Sequence, residues 1–220
     1  MQIIDLTHEI KEGMPCFGAR WHNPVKFEKM GTIEEVGRNT TKIIIGSHCG
    51  THIDSPNHFI ENGLTIDKIE LNKLIGDVSI YNFTNLKMNE CVTLEMLKKL
   101  NITEKVIFNF NWAEKFYISS QEFYNNYPYF SDEAIDYLIK KGVKLVGMDT
   151  PSPDDSRIKP LSIEDSKAHK KFLSKGVILI EYLNNLNSIV DNAGWKIIAM
   201  PLKLKNCDGS SARVCLIKEI

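Results

Sequence analysis

Apolar positions along the chain gather in short runs bounded by turn residues, a pattern that predicts many strands and about three helices. Strands are expected at 2–7, 25–31, 40–47, 77–83, 105–112, 144–148 and 177–183. The last of these, Val177-Ile178-Leu179-Ile180-Glu181-Tyr182-Leu183, is dense enough in apolar residues to be buried on both faces. Residues 195–205 and 212–220, joined through Cys207-Asp208-Gly209, predict a β-hairpin. Thr93 is expected to cap a helix carrying Leu94, Leu97 and Leu100 on its apolar side, and Ser131 one that runs to Lys141 and stops at Gly142. Ser162-Ile163-Glu164-Asp165 has the form of a capping box for a third helix reaching about Ser174. Residues 66–74 are ambiguous and could form a short helical turn. Residues 9–24 have no period and predict a loop. No repeat, low-complexity tract or linker interrupts this order, so the expectation is one mixed α/β domain spanning 1–220.

The chemistry concentrates just after the apolar run Ile43-Ile44-Ile45, in His48-Cys49-Gly50-Thr51-His52-Ile53-Asp54-Ser55-Pro56-Asn57-His58-Phe59. Neutral imidazole and carboxylate are ligands for Zn²⁺, Mn²⁺ or Fe²⁺. His48, His52, Asp54 and His58 are all even-numbered and would share one face of an extended chain. A helix would turn Asp54 away from His48 and His52, and Gly50, Thr51, Ile53 and Pro56 oppose it. A straight strand, rising ~3.3 Å per residue, would hold His48 and His52 about 13 Å apart, too far for one ion. A bend at Gly50 satisfies both limits. Cys49 has the opposite parity and is expected to be a packed thiol rather than a ligand.

Two further places carry chemistry. Glu181 lies inside the most apolar strand, and a buried carboxylate needs a cation, a set of hydrogen bonds or a raised pKa. From the residues alone a lysine or a metal ion could supply the cation, and His169 could be a surface helical histidine or a ligand. Asp149-Thr150-Pro151-Ser152-Pro153-Asp154-Asp155 is a proline-rich loop at a strand end, suited to ligand contact or to simple turn chemistry.

Composition narrows the class. Hydrophobic residues make up 43% and charged residues 25%, as in ordinary globular proteins, and the net charge of −1 offers no footprint for nucleic acid or anionic membrane. No apolar stretch approaches the ~20 residues of a membrane span. The first residues lack a basic, apolar export segment, and the five scattered cysteines have no CxxC pair, which fits reduced thiols in a cytoplasm. Gly46-Ser47-His48-Cys49-Gly50 has histidine where a serine nucleophile would sit, and no GxGxxG or Walker loop occurs.

His48-x-Gly50-Thr51-His52-x-Asp54-x-Pro56-x-His58-Phe59 resembles the signature of the cyclase family of metal-dependent hydrolases, which includes bacterial kynurenine formamidase and isatin hydrolase. Gly147-Met148-Asp149-Thr150-Pro151-Ser152 and Pro201-Leu202-Lys203-Leu204 with Asp208-Gly209-Ser210 and Arg213 are similar to other family segments, so the resemblance runs nearly end to end and is weakest at 80–125. It implies a layered β/β/α mixed-sheet domain of the swivelling type. It also implies two divalent metal ions, zinc first with manganese or iron compatible: His48, His52 and Asp54 for one, Asp54, His169 and Glu181 for the other. A loop over the site would bring an aromatic to substrate at Phe17, with Trp21 a weaker candidate. The family's usual Tyr/Trp-Pro-Gly-Asp run is replaced by Cys16-Phe17-Gly18-Ala19, a departure that bears on the substrate and not on the ligands.

The implied chemistry is attack of metal-activated water on a non-peptide C–N bond, with His58 as general acid/base. The substrate expectation is an aryl formamide such as N-formylkynurenine, hydrolysed in the cytoplasm by a homodimer or tetramer that needs neither nucleic acid nor membrane. The alternatives are a hydrolase that opens a cyclic amide or lactone, as isatin hydrolase does, and a metal-stabilised binding protein without turnover.

Overall fold

The computed structural model describes residues 1–18 and 22–219, so Trp21 lies outside the described residues. Its strands are β1 (Gln2–Asp5), β2 (Lys26–Gly31), β3 (Thr40–Ile44), β4 (His52–Asp54), β5 (Ile75–Asp77), β6 (Ser79–Asn82) and β7 (Cys91–Val92). The rest of the chain supplies β8 (Lys105–Asn109), β9 (Tyr129–Phe130), β10 (Leu145–Met148), β11 (Ile178–Glu181), β12 (Lys196–Pro201) and β13 (Gly209–Lys218).

Nine of these strands form one sheet in the order β5-β12-β13-β4-β11-β10-β8-β6, with β1 also paired to β13. β6, β8, β10 and β11 run parallel, whereas β12 is antiparallel to both of its neighbours, β5 and β13. The three-residue β4 joins the two halves, antiparallel to β11 on one side and to β13 on the other. The predicted hairpin is the β12–β13 pair, in register at Ile198 and Cys215.

Side-chain parity explains the layers. Val106, Phe108, Val146, Met148 and Leu179 point to one apolar cluster; Ile107, Leu145, Ile178 and Ile180 point to the other. The parallel strands are therefore buried on both faces, which is why they read as unbroken apolar runs. On the first face the helix Asp132–Lys140 contributes Ala134, Ile135 and Leu138, and the helix Lys167–Ser174 contributes Ala168, Phe172 and Leu173. On the second, Ile197, Ala199, Val214 and Leu216 of the antiparallel half close over the parallel strands. The result is the expected layered mixed α/β fold.

Local departures have physical causes. The strand expected over 105–112 ends at Asn109 because the next amides are taken by Asp149, whose carboxylate accepts from Phe110 N at 2.9 Å, Trp112 N at 2.7 Å and Ala113 N at 3.4 Å. Asp149 is thus a loop holder and not a ligand, and burial pushes its pKa up to about 6 against those three bonds. Asp149→Ala is expected to cost about 3 kcal/mol or more in urea unfolding, since three buried amides lose a charged acceptor.

The capping box at 162–165 starts no helix. Asp165 instead folds back to accept from Leu161 N at 2.7 Å, and the helix begins at Lys167 after Ser166, which sits at φ 55° and makes no side-chain cap. The cap comes from Asp154 of the proline-rich loop, which accepts from Ala168 N at 2.6 Å and His169 N at 3.4 Å. Thr93 does cap its helix, but that helix spans only Leu94–Leu97, and Leu100 packs beyond its end. Residues 66–74 hold two short 3₁₀ turns, Ile66–Lys68 and Leu71–Lys73. β2 and β3 form a separate two-stranded ribbon, so the motif is not a continuation of β3: residues 45–51 intervene before β4. Among the described residues no helix is long and apolar enough to cross a membrane.

Candidate metal centre and cavity

His52 and Asp54 stand two apart on β4 and therefore on one face of the sheet. Glu181, on β11, is the cross-strand partner of His52. Register alone thus brings the buried Glu181 next to the motif, as directly opposed residues have Cβ atoms ~5 Å apart.

His48 reaches the same place through the predicted bend. Gly50 takes φ 59°, in the left-handed region that glycine enters without strain, and His48 Nδ1 lies 2.7 Å from Asp54 Oδ1. His58 arrives differently from the extended arrangement expected of it, because β4 stops at Asp54 and Pro56 opens a 3₁₀ turn over Pro56–His58. The turn stacks the His58 ring on that of His48, centroids 3.8 Å apart. His169 comes in from the helix layer, with Nε2 3.3 Å from Asp54 Oδ2 and 3.0 Å from Glu181 Oε1. Cys49 turns away toward Met14, as its parity predicted, and burial pushes its thiol up to about 11.

The hydrogen-bond pattern shows what this cluster lacks. His52 Nδ1 lies 2.7 Å from the Gly50 carbonyl, which only accepts, so in the neutral ring the proton sits there and Nε2 carries the lone pair. His169 Nδ1 is 2.5 Å from Asp154 Oδ2, which fixes its ring in the same way. Both bare Nε2 atoms then face carboxylates: His52 lies 3.3 Å from Asp54 Oδ1 and 3.5 Å from Glu181 Oε2. Asp54 Oδ2 and Glu181 Oε1 are buried and, among the described residues, meet no donor with hydrogen-bond geometry.

Lone pairs facing buried anions repel unless a cation lies between them, and an imidazole whose other nitrogen is held by an acceptor is how proteins present a metal ligand. The residues present fit a metal ion. His48, Asp54 and His58, and separately His52, Asp54 and Glu181, can each bring three donor atoms within 4.8 Å of one another. Asp54 faces His48 and His52 with one oxygen and His169 with the other, the arrangement a shared carboxylate requires. Among the described residues Glu181 has no lysine partner; its ion-pair partners are His52 and His169.

Protonation follows the same cation deficit. Burial lowers the His48 pKa, but the Asp54 charge and the Asp208 hydrogen bond outweigh it and carry the ring up to about 10. For His169 burial also pulls downward, and Glu181 with Asp154 pushes the ring well above its usual range. Burial and the Asp54 charge raise Glu181, while Asp54 itself, against burial, is held well below the carboxylate range by His48 and His58. Burial lowers His58 most strongly, against the pull of Asp54 and Asp208.

The cluster forms the floor of a cavity of about 690 Å³ whose walls include Phe17, His22, Tyr124, Tyr127, Ile158 and Leu161. Phe17 stands edge-on to His22 and Tyr124, with centroids 5.6 and 5.7 Å away. Sequence reasoning missed three residues here. Asp154 was legible only within a proline-rich loop and Asp208 only within a turn and a family-like segment, with no role for either side chain, and Tyr124 lies in the stretch where the family resemblance is weakest.

Comparison with known proteins agrees with the geometry. The putative cyclase family matches residues 4–155, more than half of the chain. The chain belongs to the cyclase family. Among cyclase-family relatives, the kynurenine formamidase of Geobacillus thermodenitrificans is 29% identical over 216 residues, covering 98% of this chain and 97% of that protein. A predicted metal-dependent hydrolase from Bacillus stearothermophilus superposes with a TM-score of 0.77 at 28% identity, covering 98% and 97% of the two chains. Isatin hydrolase A from Labrenzia aggregata superposes with a TM-score of 0.86 at 23% identity, covering 99% and 94%, which extends the likeness of fold.

Proposed function

We propose that this chain is a metal-dependent amidohydrolase that releases formate from an aryl formamide such as N-formylkynurenine. The observation that carries the reading is the convergence of the His52 and His169 lone pairs on two buried carboxylates beneath an aromatic cavity. His48, His52 and Asp54 would hold one divalent ion and Asp54, His169 and Glu181 a second, with zinc the first expectation and manganese or iron compatible. The chemistry such ions supply is polarisation of the substrate carbonyl and a fall in the pKa of water from ~15.7 toward neutrality.

The remaining work falls to side chains. Phe17 and Tyr124 flank the space above the cluster, and their faces suit an aryl ring. His58 lines the cavity beside the ligands, where it would take a proton from water and return it to the departing aniline nitrogen. The same reading makes the protein a cytoplasmic homo-oligomer, dimer or tetramer, acting on a small molecule.

The test is formate release by the purified, zinc-loaded protein from N-formylkynurenine and formanilide, with isatin and an aryl lactone assayed in parallel. Turnover confined to the cyclic compounds would replace the formamide by ring opening, and turnover of none would leave a binding protein. His58→Ala is expected to lower kcat by roughly 10²–10⁴-fold with zinc content unchanged, the range of a lost general acid/base. Loss of zinc from that variant would make His58 a ligand instead.

A further inference from the structure

Asp208 belongs to none of the ligand sets, yet its carboxylate touches two histidines of the motif. Oδ2 lies 2.7 Å from His48 Nε2 and 3.3 Å from His58 Nδ1. The two rings it touches are stacked with an interplanar angle of 29°. Its backbone is fixed with equal care. The Asp208 carbonyl accepts from Ser55 N at 3.0 Å and from Ser55 Oγ at 2.8 Å, and Ser55 directly follows Asp54. Gly209, the first residue of β13, runs so close beneath His48 that a Cβ there would lie 2.8 Å from His48 Cε1 and 2.8 Å from the Ile53 carbonyl oxygen. The chain enters β13 pressed against the motif, and the preceding carboxylate is delivered to one spot.

We propose that Asp208 is a positioning residue that acts through His58: it accepts from His58 Nδ1–H, fixes the ring against His48, and leaves Nε2 as the nitrogen offered to the cavity. The inference rests on the reading of His58 as the acid/base. A carboxylate accepts and does not donate when ionised, so an imidazole held through Nδ1 keeps its lone pair on Nε2. That is the form able to take a proton from water and pass it on. Without Asp208 the ring is free to turn and to populate both tautomers, and fewer molecules hold the productive one.

Three variants, read by kinetics and by ring spectra, test this. Asp208→Ala, assayed at saturating zinc because the same Oδ2 also lies 2.7 Å from the ligand His48, is expected to lower kcat by about 10–100-fold, the range found when a supporting hydrogen-bond partner is removed, with KM little changed. Asp208→Asn, whose amide oxygen can still accept from Nδ1–H, recovers part of the loss. Combined with His58→Ala, Asp208→Ala adds no further loss, because both changes remove one function. Long-range ¹H–¹⁵N spectra of the histidine rings read the tautomer directly: His58 is Nδ1-protonated in the wild type and becomes a mixture in Asp208→Ala.

A loss of activity that excess zinc restores, additive losses in the double variant, or a His58 tautomer that ignores the substitution each overturn the proposal. A wild-type protein inactive on every formamide would defeat the substrate reading, while the ring spectra would still decide the role of Asp208.

Discussion

Asp54→Asn is expected to lower kcat/KM by roughly 1000-fold or more, on the scale of losing a principal electrostatic group in an active site, and to lower the zinc content as well. Asn keeps the shape of Asp, so little else changes at this fully buried position. What changes is the charge, and Asp54 is the carboxylate that reaches three histidines, with one oxygen toward His48 and His52 and the other toward His169. A neutral amide also turns an N–H₂ toward one of these groups, where a lone pair is needed. Metal analysis by plasma spectrometry beside formate-release kinetics checks both halves. Full zinc and undiminished turnover in this variant would mean that the cluster is not the reaction centre.

Stripping the metal with a chelator is expected to lower the thermal midpoint by roughly 10 °C. Zinc at a thousand times its dissociation constant contributes about 4.1 kcal/mol to the folded state. In a chain of this size each kcal/mol moves the midpoint by about 2–4 °C. The direction follows from the structure, where Asp54 and Glu181 are both buried and Glu181 is pushed toward its neutral form by burial and by its neighbour's charge. Scanning calorimetry with and without chelator, followed by restoration with zinc, measures the shift. Asp54→Asn protein should show much less of it, and an equal shift in that variant would place the stabilising ion elsewhere.

The bend in the histidine–aspartate motif was legible because its constraints were local. Ligand chemistry, residue parity and the reach of an extended chain were enough to require a bend at Gly50, and the bend is there. Glu181 was legible for the opposite reason, since a charge inside Val177-Ile178-Leu179-Ile180 contradicts its surroundings unless something answers it. His58 was placed near the right partners by the wrong route, because alternation in a strand was carried past Pro56, where a 3₁₀ turn takes over. The capping box at 162–165 misled because a carboxylate distant in sequence, Asp154, supplied the helix cap. Asp208 showed only as part of a turn and of a family-like segment: what its carboxylate touches emerges only when the turn before β13 is set against Ser55, His48 and His58. Local rules reached the first layer of the site, and its supports came from chain crossings that no local rule contains.

β4 is three residues long and flanked on both sides, by β11 and β13, so the amides of His52 and Asp54 lie where the parallel and antiparallel halves are sewn together. Opening the site therefore means parting the molecule down its middle. In deuterated solvent these amides should be among the slowest to exchange, yielding only when the whole chain unfolds, and the site should be lost in the same step as the fold.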